Sequence, residues 1–289
     1  MSLLQHRRLP AAATVLLAAI LLPLAARIGG TPTVLLVASS LLMFGCCWAS
    51  AERLLGGAAA LRLVAIATSC GWFGEQMGAS YGWFFGSYSY TTVLGPQLGD
   101  VPVVIPMMWF ALTYIGYVIA NLIAWQDPVD RPAPARHDAI MALLGAMVVT
   151  CYDLGVDPYM VYVLKAWIME KTDGAWFGET VQGFAGWMTV SFAILFAFRR
   201  LARVSPAADA VPAAARHVVL PLGVYAGLMV YQMVLGYPVE ARTIALFAMG
   251  FPLLAATVGL LRWKGVLVRP AAQVDAPAAV AAETLKEAA

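Results

Sequence analysis

Long apolar runs, separated by short polar or proline-rich stretches, fill most of this 289-residue chain. About 20 apolar residues are enough for a helix to cross the hydrocarbon core of a bilayer. The apolar runs predict eight such helices, near residues 10–27, 32–50, 60–80, 101–124, 138–157, 182–198, 216–236 and 242–261. The first run follows Arg7 and Arg8, as in a signal peptide, but the runs after it favour a retained first helix.

Composition places the chain in lipid. Hydrophobic residues make up 62% of it and charged residues only 12%, with a mean hydropathy of +0.78, whereas soluble domains carry about 25% charge. The sequence therefore predicts an all-α, polytopic membrane helix bundle. We expect one transmembrane domain over residues 1–269 and an Ala-rich tail over 270–289. The pattern indicates membrane lipid as a partner, predicts no nucleic-acid partner and leaves the oligomeric state open.

The distribution of positive charge predicts the orientation. With the N-terminus inside, 14 of the 18 Lys and Arg residues fall on the inner side of the eight helices, as the positive-inside rule requires. Both termini are then cytoplasmic, and the membrane is the cytoplasmic (inner) one. The two long outer loops, near 81–100 and 158–181, are rich in aromatic and acidic residues.

A glycine and aromatic stretch occupies residues 71–110. Gly74, Gly78, Gly82 and Gly86 recur at every fourth position, which on a helix makes a smooth stripe for a backbone or a flat ligand. Aromatic residues crowd beside these glycines, and a second aromatic stretch covers residues 152–187. We expect the two stretches to form one site.

Three carboxylates lie inside predicted spans. Glu75 follows Arg62 by 13 residues, which is roughly 20 Å along a helix. Asp153 and Asp157 are four residues apart and share one helix face. Carboxylates within a membrane are costly and usually face a bundle interior. The alternatives are that they satisfy helix ends or pair with Arg or Tyr, and that Asp157 already lies at the interface before Pro158.

The sequence contains no motif that requires a cofactor or a metal. Walker A loops, Rossmann glycine motifs and histidine metal-binding motifs are absent, and the three histidines fall on the predicted inner side. Carboxylic acids, tyrosine hydroxyls and aromatic faces remain. A carboxyl in apolar surroundings can stay protonated and act as an acid. It can then protonate an alkene, while aromatic faces stabilise the carbocation and a second carboxylate directs water.

Two motif regions between residues 75 and 187 resemble the CruF-type carotenoid hydratases, a family of integral membrane proteins of carotenoid biosynthesis. The first region holds Glu75, Gly82, Phe85-Gly86, Tyr88, Tyr90, Val101-Pro102 and Trp109. The second holds Asp153, Asp157-Pro158, Trp167, Gly174, Trp176, Gly178, Phe184 and Gly186-Trp187. The sequence departs from the family pattern at Thr180 and Gly183, where a Pro and an Asn are expected.

This resemblance implies that water adds across the terminal 1,2 double bond of an acyclic carotenoid end, without a cofactor, to give a tertiary 1-hydroxy carotenoid. Lycopene, γ-carotene and bacterioruberin precursors carry such ends. We expect Glu75, Asp153 and Asp157 to be catalytic, with Asp153 or Glu75 delivering the proton and the other holding water. The polyene would lie along the glycine stripe, bound by Trp72, Gly78, Tyr81, Gly82, Phe85, Tyr88, Tyr90, Trp109, Trp167, Trp176 and Trp187.

Two other classes of protein remain open at this stage. Asp153 and Asp157 could belong to a membrane prenyl-diphosphate enzyme that holds magnesium, although such enzymes usually show richer acidic clusters. Glycine stripes and aromatic belts also fit a non-enzymatic protein that binds or transports carotenoids or lipids.

Overall fold

Seven helices form the part of the chain that the computed structural model describes, residues 32–130, 134–204 and 215–267. All seven are long and apolar enough to cross a membrane, so the prediction of an all-α, polytopic bundle is confirmed. The helices are α1 (Pro32–Leu55), α2 (Gly57–Tyr81), α3 (Val104–Trp125), α4 (Ala135–Tyr159), α5 (Val181–Val204), α6 (Ala215–Leu235) and α7 (Val239–Trp263). The span expected near 10–27 and the tail over 270–289 lie outside the described residues.

Helix α3 is the centre of the bundle. It packs against each of the other six described helices, and its apolar residues surround it on all sides, as in a fully buried helix. Close approach to α4 depends on two glycines, because a β-carbon at Gly116 would stand 2.7 Å from the Gly145 carbonyl oxygen. The bundle therefore encloses one continuous apolar core.

Helix α2 ends sooner than the glycine spacing predicted. Gly82 takes the left-handed conformation (φ 70°) and donates its N–H to the Gly78 carbonyl at 2.8 Å, which terminates the helix. Gly86 (φ 90°) lies in the loop beyond. The prediction of a helical stripe from Gly74 to Gly86 was therefore wrong in its second half, since glycine here ends the helix instead of smoothing it.

Helix α4 runs past Pro158, where the sequence predicted an end. The α-helix continues to Tyr159 and is followed by a π-helical turn, Met160–Leu164. Proline has no N–H, so the carbonyl four residues earlier loses its helical partner. That carbonyl, of Leu154, accepts the indole N–H of Trp176 at 2.9 Å instead. The helix therefore keeps Asp157 inside the bundle and is anchored to the following loop.

Three connections, residues 82–103, 165–180 and 236–238, lie at one end of the bundle, called here the loop end. Short strands join the first two: β1 (Tyr88–Tyr90) pairs antiparallel with β4 (Trp167–Met169). A tight hairpin, β2 (Gln97–Leu98) with β3 (Val101–Pro102), leads into α3. These strands were not predicted, and the β1–β4 ribbon brings the two aromatic stretches together.

Candidate functional site

A deep apolar cavity lies between the helices and the β1–β4 ribbon. It encloses about 1270 Å³ of space, its open mouth included. Residues of α1, α3, α4, α5 and α6 contribute to its walls, and Glu75 of α2 and Asp157 of α4 are the ionisable carboxyl groups in its lining. No lysine or arginine is among the described residues that line it.

The ribbon places alternate side chains in the cavity. In a strand, residues two apart face the same way. Accordingly, Tyr88 and Tyr90 of β1 line the cavity together with Trp167 and Met169 of β4, whereas the intervening Ser89 and Ile168 are exposed. The antiparallel register puts Tyr88 opposite Met169 and Tyr90 opposite Trp167. The ribbon thus forms an aromatic cover over the cavity at the loop end.

Glu75 accepts three side-chain hydrogen bonds. The hydroxyls of Tyr88 and Tyr90 donate to its Oε2, the latter at 2.7 Å, and the indole N–H of Trp109 donates to Oε1 at 2.9 Å. Burial, and then the neighbouring Glu75 carboxylate, raise the pKa of Tyr88 and Tyr90 well above the usual range of tyrosine. The hydroxyls therefore remain donors, and this arrangement suits a carboxylate anion.

Aromatic rings surround Glu75 on the cavity side. Trp109 and Trp187 are stacked, with ring centroids 4.5 Å apart. Phe85 lies against both indoles, at 6.2 and 6.5 Å. Tyr90 meets Trp167 edge-to-face at 5.8 Å. The faces and edges of these rings form a wall next to the carboxylate that could contact a flat polyene or a cation.

Asp157 lines the cavity, but Asp153 does not. Asp157 hydrogen-bonds to the Glu179 carboxyl and to Trp167. Asp153, one turn earlier on the same face of α4, is fully buried, and neither of its carboxyl oxygens has a hydrogen-bond partner in the protein. It interacts electrostatically with Asp157, Glu179 and Glu75. The structure thus brings all three predicted carboxylates into one region, with Asp153 behind the cavity wall.

Glu179 was not predicted as a site residue. Its backbone and that of Trp176 exchange hydrogen bonds of 2.8 and 3.2 Å, and Gly174 and Gly178 close the same small hairpin. This hairpin turns Glu179 inward until only 2% of it is exposed. Burial raises its pKa to about 7, although the hydrogen bond with Asp157 acts in the opposite direction. The G-x-W-x-G motif was the available signal, because it shapes the hairpin.

A model of the carotenoid biosynthesis protein family matches residues 30–257 of this chain. The chain belongs to this family. It is also 32% identical over 115 residues to the bisanhydrobacterioruberin hydratase of Haloarcula japonica. That alignment covers 39% of this chain and 36% of the relative, so the chain spans about a third of the curated relative's length. No solved structure matches the chain.

In this carotenoid biosynthesis protein, six of the predicted substrate-binding residues line the cavity: Phe85, Tyr88, Tyr90, Trp109, Trp167 and Trp187. The other five do not. They support the loops or lie at the surface: Trp72, Gly78, Tyr81, Gly82 and Trp176.

The glycine stripe of α2 packs against protein. A β-carbon at Gly78 would stand 3.0 Å from Phe85 and Tyr88, and one at Gly74 would stand 3.1 Å from Val190 of α5. The prediction that the polyene lies along this stripe is therefore wrong, because the ribbon and α5 already occupy that surface. The space for a ligand lies on the other side of Phe85 and Tyr88.

The two positions that depart from the family pattern lie at the start of α5. Gly183 lines the cavity, and its N–H donates to the Thr180 hydroxyl and carbonyl at 3.3 and 3.1 Å. Thr180 therefore caps the helix in the position where a Pro was expected. Among the described residues, no cluster of His, Cys, Asp and Glu has the geometry of a metal site.

Proposed function

We propose that this protein is a carotenoid hydratase. It adds water across the terminal 1,2 double bond of an acyclic carotenoid end and releases a tertiary 1-hydroxy carotenoid. The family of the chain, the name of its relative from Haloarcula japonica and the apolar cavity support this reading. We further propose that the loop end faces outward from the cytoplasmic membrane, since most of the Lys and Arg residues in the described part of the chain lie at the other end.

One observation carries the proposal: two carboxyl groups with different hydrogen-bond partners line the same aromatic cavity. Glu75 accepts hydrogen bonds from three donors, whereas Asp157 hydrogen-bonds to another carboxyl group, Glu179. A hydrogen bond between two carboxyl groups requires a proton on one of them. The cavity thus offers an acid on one side and a carboxylate on the other, the pair that hydration needs.

In the first step, Asp157 transfers its proton to C2 of the terminal double bond. The two electrons of the double bond form the new C–H bond, and C1 becomes a tertiary carbocation. The charge that develops at C1 is stabilised by the Glu75 carboxylate and by the Trp109 and Trp187 rings, which are next to it. A desolvated cation over an aromatic face gains about 2 kcal/mol.

In the second step, a water molecule directed by Glu75 forms the C1–O bond. The oxonium proton passes to Glu75, which then releases it, and Asp157 regains one proton before the next cycle. The sum is one alkene plus one water giving one alcohol, with no net consumption of protons. Tyr88 and Tyr90 keep their hydroxyl protons throughout and hold Glu75 in place.

The identity of the substrate is inferred from the chemistry of the reaction. Any acyclic end with a trisubstituted 1,2 double bond meets the requirement, which includes lycopene and the acyclic precursors of bacterioruberin. The name of the relative makes bisanhydrobacterioruberin the first substrate to test. The lining is mostly apolar, with Leu36, Met43, Met108 and Leu228 among its residues, and suits a hydrocarbon chain.

The proposal is tested by expressing the protein in cells that accumulate lycopene or bisanhydrobacterioruberin. Extracts are separated by chromatography, and the masses of the products are measured by mass spectrometry. We expect carotenoids heavier by one water with the natural protein and with the control Glu240→Gln, which changes an exposed glutamate of α7. Glu75→Gln and Asp157→Asn should leave the substrate unreacted at equal protein levels.

Other outcomes of this experiment would indicate a different class of protein or a different pair of residues. A purified protein that retains a polyene without changing its mass would be a binding or transport protein. Activity on a prenyl diphosphate that disappears with a chelator would identify a magnesium enzyme. Full hydration by both Glu75→Gln and Asp157→Asn would exclude these two carboxyls as the acid–base pair.

A further inference from the structure

Three carboxyl groups are gathered at the loop end, one in the cavity wall and two behind it. Asp153 and Asp157 come from α4, and Glu179 comes from the hairpin before α5. All three are at least nine-tenths buried, with relative exposures of 0%, 8% and 2%. Both oxygens of Asp153 and Oε1 of Glu179 have no hydrogen-bond partner in the protein. Buried polar atoms nearly always have such a partner, so these oxygens indicate a site for something further.

No positive charge compensates this cluster. Within the described residues, no Lys, Arg or His forms an ion pair with any of the three. Besides one another, they interact with the ionisable groups of Glu75 from α2, Tyr88 from β1, Tyr152 from α4 and Tyr162 from the π-helical turn. Like charges this close cannot all ionise at neutral pH. The cluster must therefore hold protons or bind hydrogen-bond donors.

We propose that Glu179 shares a proton with Asp157 and, together with Asp153 and bound water, passes protons between the loop end and the cavity. The inference rests on the proposed function, because it supplies the proton that Asp157 gives to the alkene. Glu179 does not line the cavity. It is therefore a positioning residue that acts through Asp157, and the free oxygens of Asp153 and Glu179 accept the water hydrogens.

Contacts of the hairpin backbone fix the position of Glu179 beside Asp157. A β-carbon at Gly174 would collide with the backbone of Glu179, and one at Gly178 would collide with the Tyr162 hydroxyl. The Trp176 indole fixes the hairpin to the Leu154 carbonyl, in the turn between Asp153 and Asp157. One set of contacts thus sets the distance between the Glu179 and Asp157 carboxyls. Structural support alone would need no buried acid at this position.

The shared proton makes the reaction depend on pH. Burial raises the pKa of Glu179 to about 7, above the ordinary value of 4.5. A group with a raised pKa holds its proton below that pKa and loses it as pH rises through it. Glu179 therefore holds its proton at acidic pH and can resupply Asp157, and turnover should fall as pH rises through about 7.

The test compares the natural protein with Glu179→Gln, which keeps the shape but places an amide N–H where the proton was. The control is Glu170→Gln, because Glu170 belongs to the same loop and is exposed. Turnover of an acyclic carotenoid is followed against pH in isolated membranes. We expect Glu179→Gln to lower turnover at least tenfold and to move the alkaline limb to lower pH, with Glu170→Gln unchanged.

A second measurement does not depend on activity. Infrared spectroscopy of the purified natural protein should show a protonated carboxyl band that titrates near pH 7, present in Glu170→Gln and lost in Glu179→Gln. Absence of that band from the natural protein would overturn the inference, however the variants fold. So would a Glu179→Gln variant with the natural alkaline limb, or cluster-dependent activity that a chelator abolishes. A titrating band without hydrated product would refute the proposed function alone.

Discussion

The two ends of the bundle bury charge in opposite ways. At the loop end, Asp153, Asp157 and Glu179 are buried together without a cation. At the opposite end, Arg199 of α5 is fully buried and paired through its two terminal nitrogens, with Asp130 at 2.7 Å and Asn121 at 2.9 Å, while its Nε has no partner. Its guanidinium also lies 4.7 Å from the centre of the Tyr117 ring.

This difference indicates that one end of the bundle stabilises the fold and the other carries out the chemistry. The Arg199 network ties α5, α3 and the following loop together, and its charges balance, as in a structural ion pair. The carboxyl cluster has unbalanced charge and free acceptors, an arrangement that is costly in a membrane protein and that usually marks a functional site. If this interpretation is right, changes at the loop end should affect turnover, and changes at the opposite end should affect stability.

The largest effect should come from Asp157→Asn. The amide cannot donate a carboxyl proton to the alkene, and general acid catalysis contributes about 100- to 10,000-fold. Product formation in membranes should fall by that range. Asp173→Asn, which changes an exposed acid in the connection 165–180, should keep the natural rate. An Asp157→Asn variant with more than half the natural rate would mean that Asp157 is not the acid.

The next effect should appear at the opposite end, in stability. Arg199→Ala removes the buried guanidinium that pairs with Asp130 and Asn121, and breaking a buried pair costs about 3–5 kcal/mol. The free energy of unfolding, measured by denaturing detergent titration in bicelles, should drop by that amount. Turnover per folded molecule should not change.

A matched control stands at the next position. The Arg200 side chain is 48% exposed and lies 3.4 Å from Asp138, so Arg200→Ala should cost about 1 kcal/mol or less. Equal losses for Arg199→Ala and Arg200→Ala would contradict the view that the buried network is the structural anchor.

A smaller effect is expected from Tyr90→Phe. The change removes one hydrogen bond to Glu75 and keeps the ring. A hydrogen bond to a charged group contributes about 1.5–3 kcal/mol, so turnover should fall about tenfold or more with little change in stability. Tyr81→Phe is the control, since Tyr81 is 68% exposed and does not line the cavity. Equal effects at both positions would remove Glu75 from the mechanism.

The smallest effect should follow from Gly183→Ala. A β-carbon there would meet nothing closer than the Phe85 carbonyl oxygen at 3.9 Å, so the cavity accepts it. Turnover should stay within about twofold of the natural protein, the range of substitutions that disturb no contact. Gly183→Leu should reduce turnover more, because its side chain enters the cavity. If Leu acts like Ala, the substrate does not reach this wall.

The sequence alone was enough for the helices and for most of the carboxyl site. Glu75, Asp153 and Asp157 stand out because a charge inside an apolar run is rare, and the structure buries all three. Glu179 was not singled out because its neighbours Glu170, Lys171 and Asp173 are also charged, and the G-x-W-x-G motif shapes the hairpin without showing which acid turns inward. Trp72 and Tyr81 were predicted in the site because they are aromatic residues beside the glycines, and Trp176 because it belongs to the second motif region.

What the sequence determined is therefore the membrane character, the number and order of the described spans, and the carboxylates within them. These follow from hydropathy, which each segment carries by itself. The tertiary structure decided which residues share the cavity. The pairing of β1 with β4, the cap at Gly82 and the hairpin at Gly174 and Gly178 depend on contacts between segments far apart in the chain. Such contacts leave no periodic signal, because they arise only when the helices have packed.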